Sequence, residues 1–380
     1  MKTKIIRTST VAMSLDILLK GQLRFLSNYY KVIGVSGNDQ HLEIVQKREK
    51  IEVYSIKMER KISPFKDFIS LIKLYKYLKK EKPSLIHSIT PKAGLLTMVA
   101  GYFAKVPVRM HTFTGLIFPS KTGIMQKLLI QMDKLLCICA THIIPEGNGV
   151  KNDLISFKIT DKPLKVLAHG NVNGIDLEYF NPNLSFEKPT ELSCIQPNDF
   201  VFVFVGRLVR DKGIIELVDA FENVNKLHKN AKLLLVGPYE QDLDPLPEIT
   251  LNKIRQNKNI IETGFQKDVR PYLKASHCFV FPSHREGFPN VVLQAGAMDL
   301  PCVVSNINGS NEIIIDQENG LIFEKQDTNA LYKKMAIVIE DKSYYLHLQS
   351  NSRRLIASRF SQELVWNALL SEYQNALENV

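Results

Sequence analysis

Twice along this chain, short apolar runs rich in β-branched and aromatic residues alternate with segments of helical length. The first series predicts strands at Lys4–Thr8, Lys31–Ser36, Ile51–Ile56, Leu85–Ser88, Val106–Met110 and Thr141–Ile144. The second predicts strands at Phe200–Val205, Lys232–Val236, Asn259–Glu262, Cys278–Phe281, Cys302–Ser305 and Leu321–Phe323. A strand that reaches its parallel neighbour through a helix does so by a right-handed crossover, so each series implies an open, doubly wound α/β sheet. Several runs are apolar at every position, as suits a sheet covered on both faces. A chain of 380 residues has room for two such domains, each with its own core.

The break between the series is legible. Gly170 to Asp176 is glycine- and asparagine-rich, and Asn181 to Asp199 is polar with several prolines, a natural hinge. The expected division is 1–171 and 172–360, two Rossmann-like domains. Sheets of this kind take ligands beyond the carboxyl ends of their strands, so function is expected in a cleft where the two face each other.

Charge is uneven. Residues 1–190 carry 29 Lys and Arg against 15 Asp and Glu, whereas the remainder carries 20 against 24. An electropositive first half implies an anionic partner such as a diphosphate or a lipid surface. Nucleic acid is the weaker reading, since no helix-turn-helix, zinc or aromatic RNA-binding pattern accompanies the charge. The longest uncharged apolar stretches, Ala93–Ala104 and Leu135–Pro145, fall short of the roughly 20 residues that span a bilayer. Met1 to Arg7 reads as a first strand and not as a secretory signal, because Arg7 and Asp16 interrupt the apolar segment. The five cysteines show no paired C-x-x-C spacing and the nine histidines no helical metal pair, so reduced thiols and no metal site are expected.

The most chemically loaded segment runs from Ser283 to Ala297. A polar turn follows the apolar run Cys278–Pro282 and enters a helix, placing Glu286 and Gln294 eight residues apart around the helix start. Free main-chain N–H groups at such a start attract phosphate, and the two side chains suit sugar hydroxyls, which suggests a nucleotide-sugar site. At the head of the second series, Gly206-Arg207-Leu208-Val209-Arg210-Asp211-Lys212-Gly213 leaves a strand through a turn. It would deliver Arg207 and Lys212 to the strand's carboxyl end, where a guanidinium fork and a compact ammonium both suit a diphosphate. An ordinary solvated basic turn is the alternative.

Taken with Val236-Gly237-Pro238, Thr263-Gly264-Phe265-Gln266 and Gly309-Ser310-Asn311-Glu312, these motifs closely resemble family four of the glycosyltransferases, enzymes of the GT-B fold. Leu19–Leu23, Met58–Pro64, Thr90–Leu96 and Asn173–Asp176 resemble its bacterial surface-polysaccharide branch, so the likeness covers almost the whole chain. The resemblance implies Arg207 and Lys212 on the donor diphosphate, Glu286 on the donor sugar and Gln294 on the ribose. Main-chain amides of Gly287, Phe288, Pro289 and Asn290 would cap the phosphates, with Gly206, Gly264 and Phe265 also at the donor and Thr114 and Gly115 across the cleft. It further implies a retaining, metal-independent transfer without cofactor, from a UDP-linked nucleotide sugar to a polyprenyl-diphosphate-linked glycan. The setting would be capsule, O-antigen or exopolysaccharide synthesis on the cytoplasmic face of the inner membrane. The tail from Phe360 to Leu377 resembles the helix that crosses back to the first domain (361–380), with Trp366 as a packing anchor.

Two positions depart from the family pattern. Gln294 stands where Glu is common, so one ribose hydrogen bond must change direction, because a carboxamide accepts through oxygen and donates through nitrogen. Thr114 stands where a His or Arg is common, and a hydroxyl supplies no positive charge. His111 nearby reads as structural. Asp242-Leu243-Asp244 imitates a metal-binding D-x-D but precedes Pro245 outside the right context, and reads as a surface loop.

Pro64 to Lys82 predicts an amphipathic helix with Phe65, Phe68, Ile69, Ile72 and Tyr75 on a stripe and Lys66, Lys73, Lys76, Lys79 and Lys80 beside or opposite it. It is read either as a membrane-resting helix or as a core-packing helix with a solvated basic face. The resemblance favours the first. Two other functions stay open from sequence: a nucleotide-sugar epimerase on the same architecture, and a non-catalytic nucleotide-sugar-binding regulator.

Overall fold

A computed structural model describes residues 2–59, 62–240, 242 and 244–379. Arg60 and Lys61 of the Met58–Pro64 motif, Leu243 of the Asp-Leu-Asp triplet and the terminal residues Met1 and Val380 lie outside the described residues. The chain forms two compact units, Met1–Gly174 with Gln362–Val380, and Ile175–Ser361.

In the first unit, β1 (Lys4–Thr8), β2 (Lys31–Ser36), β3 (Glu52–Ser55), β4 (Leu85–Ser88), β5 (Val108–Phe113) and β6 (His142–Pro145) form one parallel sheet in the order β3-β2-β1-β4-β5-β6. The winding direction reverses between β1 and β4, which opens a crevice at the carboxyl ends of those strands. The second unit repeats the plan with β7 (Phe200–Val205), β8 (Ala231–Val236), β9 (Ile260–Gly264), β10 (Cys278–Phe281), β11 (Cys302–Ser305) and β12 (Gly320–Phe323). Its order is β12-β11-β10-β7-β8-β9, with the reversal between β10 and β7. The fully apolar central runs Val201–Phe204 and Leu233–Leu235 are completely buried, covered by helices on both faces.

One strand lies later than its sequence suggests. Instead of Val106–Met110, β5 is Val108–Phe113, because Pro107 has no N–H to give a ladder and the Val106 N–H is held by Gly101 O at 2.9 Å. Thr112 and Phe113 complete the pairing with β6.

The helix Gln362–Glu378 belongs to the first unit and is keyed into its core. Arg7 on β1 is fully buried, and its Nη1 donates to Gln22 Oε1 at 3.0 Å and to the Tyr373 hydroxyl at 2.9 Å. That hydroxyl lies 2.7 Å from His87 Nδ1, whose Nε2 is 2.7 Å from Thr112 Oγ1. Burial, and then the nearby Arg7 charge, hold the His87 pKa well below the ordinary imidazole value, so the ring is neutral and Tyr373 can donate to it. Trp366 donates to Asn173 Oδ1 at 2.8 Å and lies 5.4 Å from the Phe25 ring. It is a packing anchor, as its sequence context suggests.

The helix Pro64–Glu81 starts on a proline at its first turn and stops where Lys82 turns left-handed. Ser70, Leu74 and Leu78 face the core, whereas Phe65, Phe68, Ile69 and Ile72 are exposed, Phe65 by 77% and Phe68 by 61%. All five lysines singled out in the sequence are exposed too. Tyr75 departs from the stripe and packs half-buried against the core. At 100° per residue the lysines at 76, 79 and 80 continue the exposed apolar face toward the helix's end. Among the described residues, no helix is long and apolar enough to cross a membrane.

Candidate functional site

In the second unit, the loops after β7 and β10 flank the reversal of the sheet and are locked to one another. The turn Arg210–Lys212 ends at Gly213, which has φ +70 and begins the helix Ile214–Leu227. A side chain at 213 would run into the Pro282 carbonyl, so glycine here lets the turn lie backbone to backbone against the end of β10. Asp211 fastens the contact. Its carbonyl accepts from His284 N at 2.9 Å and Ser283 Oγ at 3.3 Å, and its carboxylate accepts from Arg285 Nε at 2.9 and 3.0 Å. Its own N–H donates to Asp244 at 2.7 Å. The second aspartate of the Asp-Leu-Asp triplet thus braces this turn.

This frame brings Lys212 and Glu286 into a mostly enclosed ion pair, their side chains 14% and 21% exposed. Lys212 Nζ also lies 5.9 Å from the centre of the Phe281 ring, and Ser283 Oγ donates to Glu286 at 3.4 Å. Behind them His284 Nε2 is 3.0 Å from Glu216 Oε1, while Glu216 Oε2 is buried without a partner among the described residues. Burial works to raise the Glu216 pKa, but the hydrogen bond and attraction of His284 bring it below the ordinary carboxyl value. Arg207 stands further out, 52% exposed and paired with Glu240 beyond β8. Each expected diphosphate ligand therefore faces a carboxylate in this structure.

Immediately beyond Glu286, the turn Gly287–Pro289 leads into the helix Asn290–Ala297. Gly309 is pressed against it, since a Cβ there would fall 2.6 Å from Gly287 O and Phe288 Cα. The main-chain N–H groups of Gly287 and Phe288 have no hydrogen-bond partner among the described residues. The expectation of four consecutive capping amides needs correction. Pro289 has no N–H, and the Phe288 side chain is buried against Phe360 at a ring distance of 5.6 Å, which leaves only its backbone for a ligand.

A curated relative matches almost the whole of this chain. The capsular polysaccharide biosynthesis glycosyltransferase CapM of Staphylococcus aureus is 33% identical over 377 residues, 99% of this chain and 98% of the relative. The chain belongs to the family-four, group 1 glycosyltransferases. The family described as Glycosyl transferases group 1 matches residues 191–355, and Glycosyl transferase 4-like matches residues 11–145. An Escherichia coli UDP-Gal:alpha-D-GlcNAc-diphosphoundecaprenol alpha-1,3-galactosyltransferase is 32% identical over 306 residues, 80% of this chain and 78% of the relative. The fold is GT-B: the crystal structure of Anabaena Alr3699/HepE with UDP and glucose superimposes with a TM-score of 0.79 at 17% identity, over 98% of this chain and 100% of that one.

Gln294 of the transferase lies within the helix Asn290–Ala297, half-buried, and its carboxamide has no partner among the described residues. Gly264 and Phe265 are set apart: Gly264 ends β9 at the sheet's edge, two strands from β7, and Phe265 just beyond it is 74% exposed. Gly206 follows β7 directly, and its N–H is held by Val236 O at 2.9 Å. In the first unit, Thr114 follows β5 and donates to Ile89 O at 3.2 Å, and Gly115 adopts φ +108. His111 is fully buried, 2.8 Å from Ser88 Oγ, and burial pulls its pKa down to about 3. It is a neutral core residue and cannot replace the cation absent at Thr114.

Sequence reading missed Asp211, Glu216, His284 and Asp244. Their partners lie 33 to 74 residues away, and no local spacing announces a pairing between loops.

Proposed function

We propose that this transferase moves a sugar, with retention and without a metal, from a UDP-sugar to a polyprenyl-diphosphate-linked glycan in bacterial surface-polysaccharide synthesis. The enclosed Lys212–Glu286 pair beside the unpaired N–H groups of Gly287 and Phe288 carries this reading. Preorganised donors of this kind stabilise charge that develops on a departing diphosphate, and a carboxylate next to them can orient sugar hydroxyls. In the reaction the donor's C1–O bond to phosphate breaks as the acceptor oxygen bonds C1 from the same face, and the leaving phosphate takes the acceptor's proton. Arg207 would exchange Glu240 for the diphosphate. The donor and acceptor named for the E. coli relative support the two substrate classes.

The test is label transfer from UDP-sugars to polyprenyl-diphosphate glycans, with UDP release followed with and without EDTA. Sugar isomerisation without an acceptor, or a strict metal requirement, would overturn the reading. Gln294 is proposed to hold the ribose through its unpartnered carboxamide. Gln294→Ala is expected to raise donor KM about tenfold with little change in kcat, the size of one lost hydrogen bond. Steady-state kinetics with varied donor measure this.

The exposed apolar and basic face of the helix Pro64–Glu81 supports peripheral attachment to an anionic membrane, the cytoplasmic leaflet that carries such acceptors. Each cation near an anionic surface contributes about 1 kcal/mol, and the exposed phenylalanines add apolar burial. A Phe65→Ser, Phe68→Ser double variant is expected to bind vesicles containing anionic lipid at least about tenfold more weakly. Vesicle co-sedimentation, with neutral vesicles as the reference, reads the effect.

A further inference from the structure

On the face of the first unit's sheet that the helix Gln362–Glu378 covers, a cavity of about 20 Å³ lies against the side chain of Arg7. Arg7 follows Ile5 by two residues on β1, and side chains two apart in a strand share a face. The guanidinium is thereby carried into the layer that holds Leu369 and Tyr373. Around the cavity stand His87 and Thr112 from the sheet, Glu146 and Asn171 beyond β6, and Leu369 from the helix. Arg7 is fully buried, and Glu146 is only 7% exposed.

The hydrogen bonds around this cavity leave donors unused. Arg7 Nη1 serves Gln22 and Tyr373, but Nε and Nη2 have no partner among the described residues. The Tyr373 hydroxyl accepts from Arg7 and donates to the neutral His87 ring at Nδ1, so the ring's proton sits on Nε2 and goes to Thr112 Oγ1. The Thr112 hydroxyl hydrogen is left without an acceptor among the described residues. Buried N–H groups in that condition destabilise the fold by their lost hydration. Glu146 lines the same cavity, yet no hydrogen bond joins it to Arg7 Nε or Nη2. Space and charge together select a guest. One water needs roughly 10–15 Å³, so there is room for a single one and none for a polyatomic ion. A halide would face the Glu146 carboxylate and a metal cation the Arg7 guanidinium, whereas water accepts from one wall and donates to the other. Cavities that stay dry are apolar, and this one is not.

We propose that one water molecule occupies this cavity and joins Arg7 to Glu146, accepting from Arg7 Nε or Nη2 and from the Thr112 hydroxyl and donating to a Glu146 oxygen. β1 and the segment beyond β6 are then tied by an internal ion pair with water at its centre. The tie reaches the point where the chain leaves the first unit. The Glu146 carbonyl accepts from Asn171 N at 2.8 Å, and Asn171 Oδ1 accepts from Asn173 N at 3.0 Å and from the N–H of Gly174, the unit's last residue before the crossing, at 2.7 Å. Gln22, which accepts from Arg7 Nη1, donates through Nε2 to Val172 O at 2.8 Å. The water anchors the start of that link and is independent of the transferase reading.

A crystal structure of the full wild-type chain that resolves ordered water tests this directly. One peak within hydrogen-bond distance of Arg7 and of a Glu146 oxygen is expected. An empty cavity, a direct Arg7–Glu146 contact, or anomalous scattering from bromide in the cavity after exchange for chloride would each overturn the proposal. In solution, Arg7→Met and Glu146→Gln are each expected to lower the folding equilibrium constant about 10²- to 10³-fold, since each leaves one buried ion without the other. The double variant should be at least about threefold more stable than the product of the single effects, as for residues of one network. Chemical denaturation measures all three, and a smaller coupling would also overturn the proposal. The crystallographic result stands even where a single variant fails to fold.

Discussion

Lys212→Ala and Glu286→Ala are each expected to lower sugar transfer by about 10²- to 10³-fold, the scale of losing one preorganised charge-stabilising group. In this structure the two side chains neutralise each other, so each single variant also leaves an ion without its partner. Enclosure is incomplete, with side chains 14% and 21% exposed, and water can solvate the survivor, so both variants should fold. Circular dichroism and UDP binding check that they do. The two effects should divide differently between kinetic constants. Loss of Lys212 removes charge balance on the leaving diphosphate and should fall mainly on kcat, whereas loss of Glu286 should also weaken discrimination between donor sugars. Near-normal turnover by either folded variant would sink the site assignment.

Tyr373→Phe is expected to destabilise the first unit by about 2–4 kcal/mol, as two buried polar groups lose a partner at once. Arg7 Nη1 would keep only Gln22, and His87 Nδ1 would lose the hydroxyl altogether. Arg7 Nε and Nη2 already have no partner among the described residues, so little local slack remains to absorb the change. The phenyl ring itself stays, which keeps its packing against Tyr30 and isolates the hydroxyl. Chemical denaturation followed by signals from each unit measures it, with the transition of Ile175–Ser361 expected to stay in place. A shift below about 0.5 kcal/mol, the range of ordinary surface substitutions, would show that the network is dispensable.

The strands were legible because parallel strands covered on both faces must be apolar throughout. Phe200–Val205 and Cys278–Phe281 admit no other placement, and the glycines and prolines around them mark the turns. Pro107 displaced β5 because a missing N–H outweighs apolar periodicity. In the site, Lys212 and Glu286 were visible through motifs that follow strands. Asp211, which ties their two loops together, was not, because its role depends on a loop more than 70 residues away.

The keying of Tyr373 to Arg7 has a consequence for how the chain comes into being. Arg7 and Tyr373 lie 366 residues apart, so during synthesis the buried arginine must wait for its tyrosine until all of that intervening chain has emerged. The uninterrupted span Ile175–Ser361 has no such debt to a distant segment and can settle during synthesis, whereas the unit begun earlier is completed later. A stop codon within the helix Gln362–Glu378 would therefore release a chain whose younger unit is sound and whose older unit lacks its keystone.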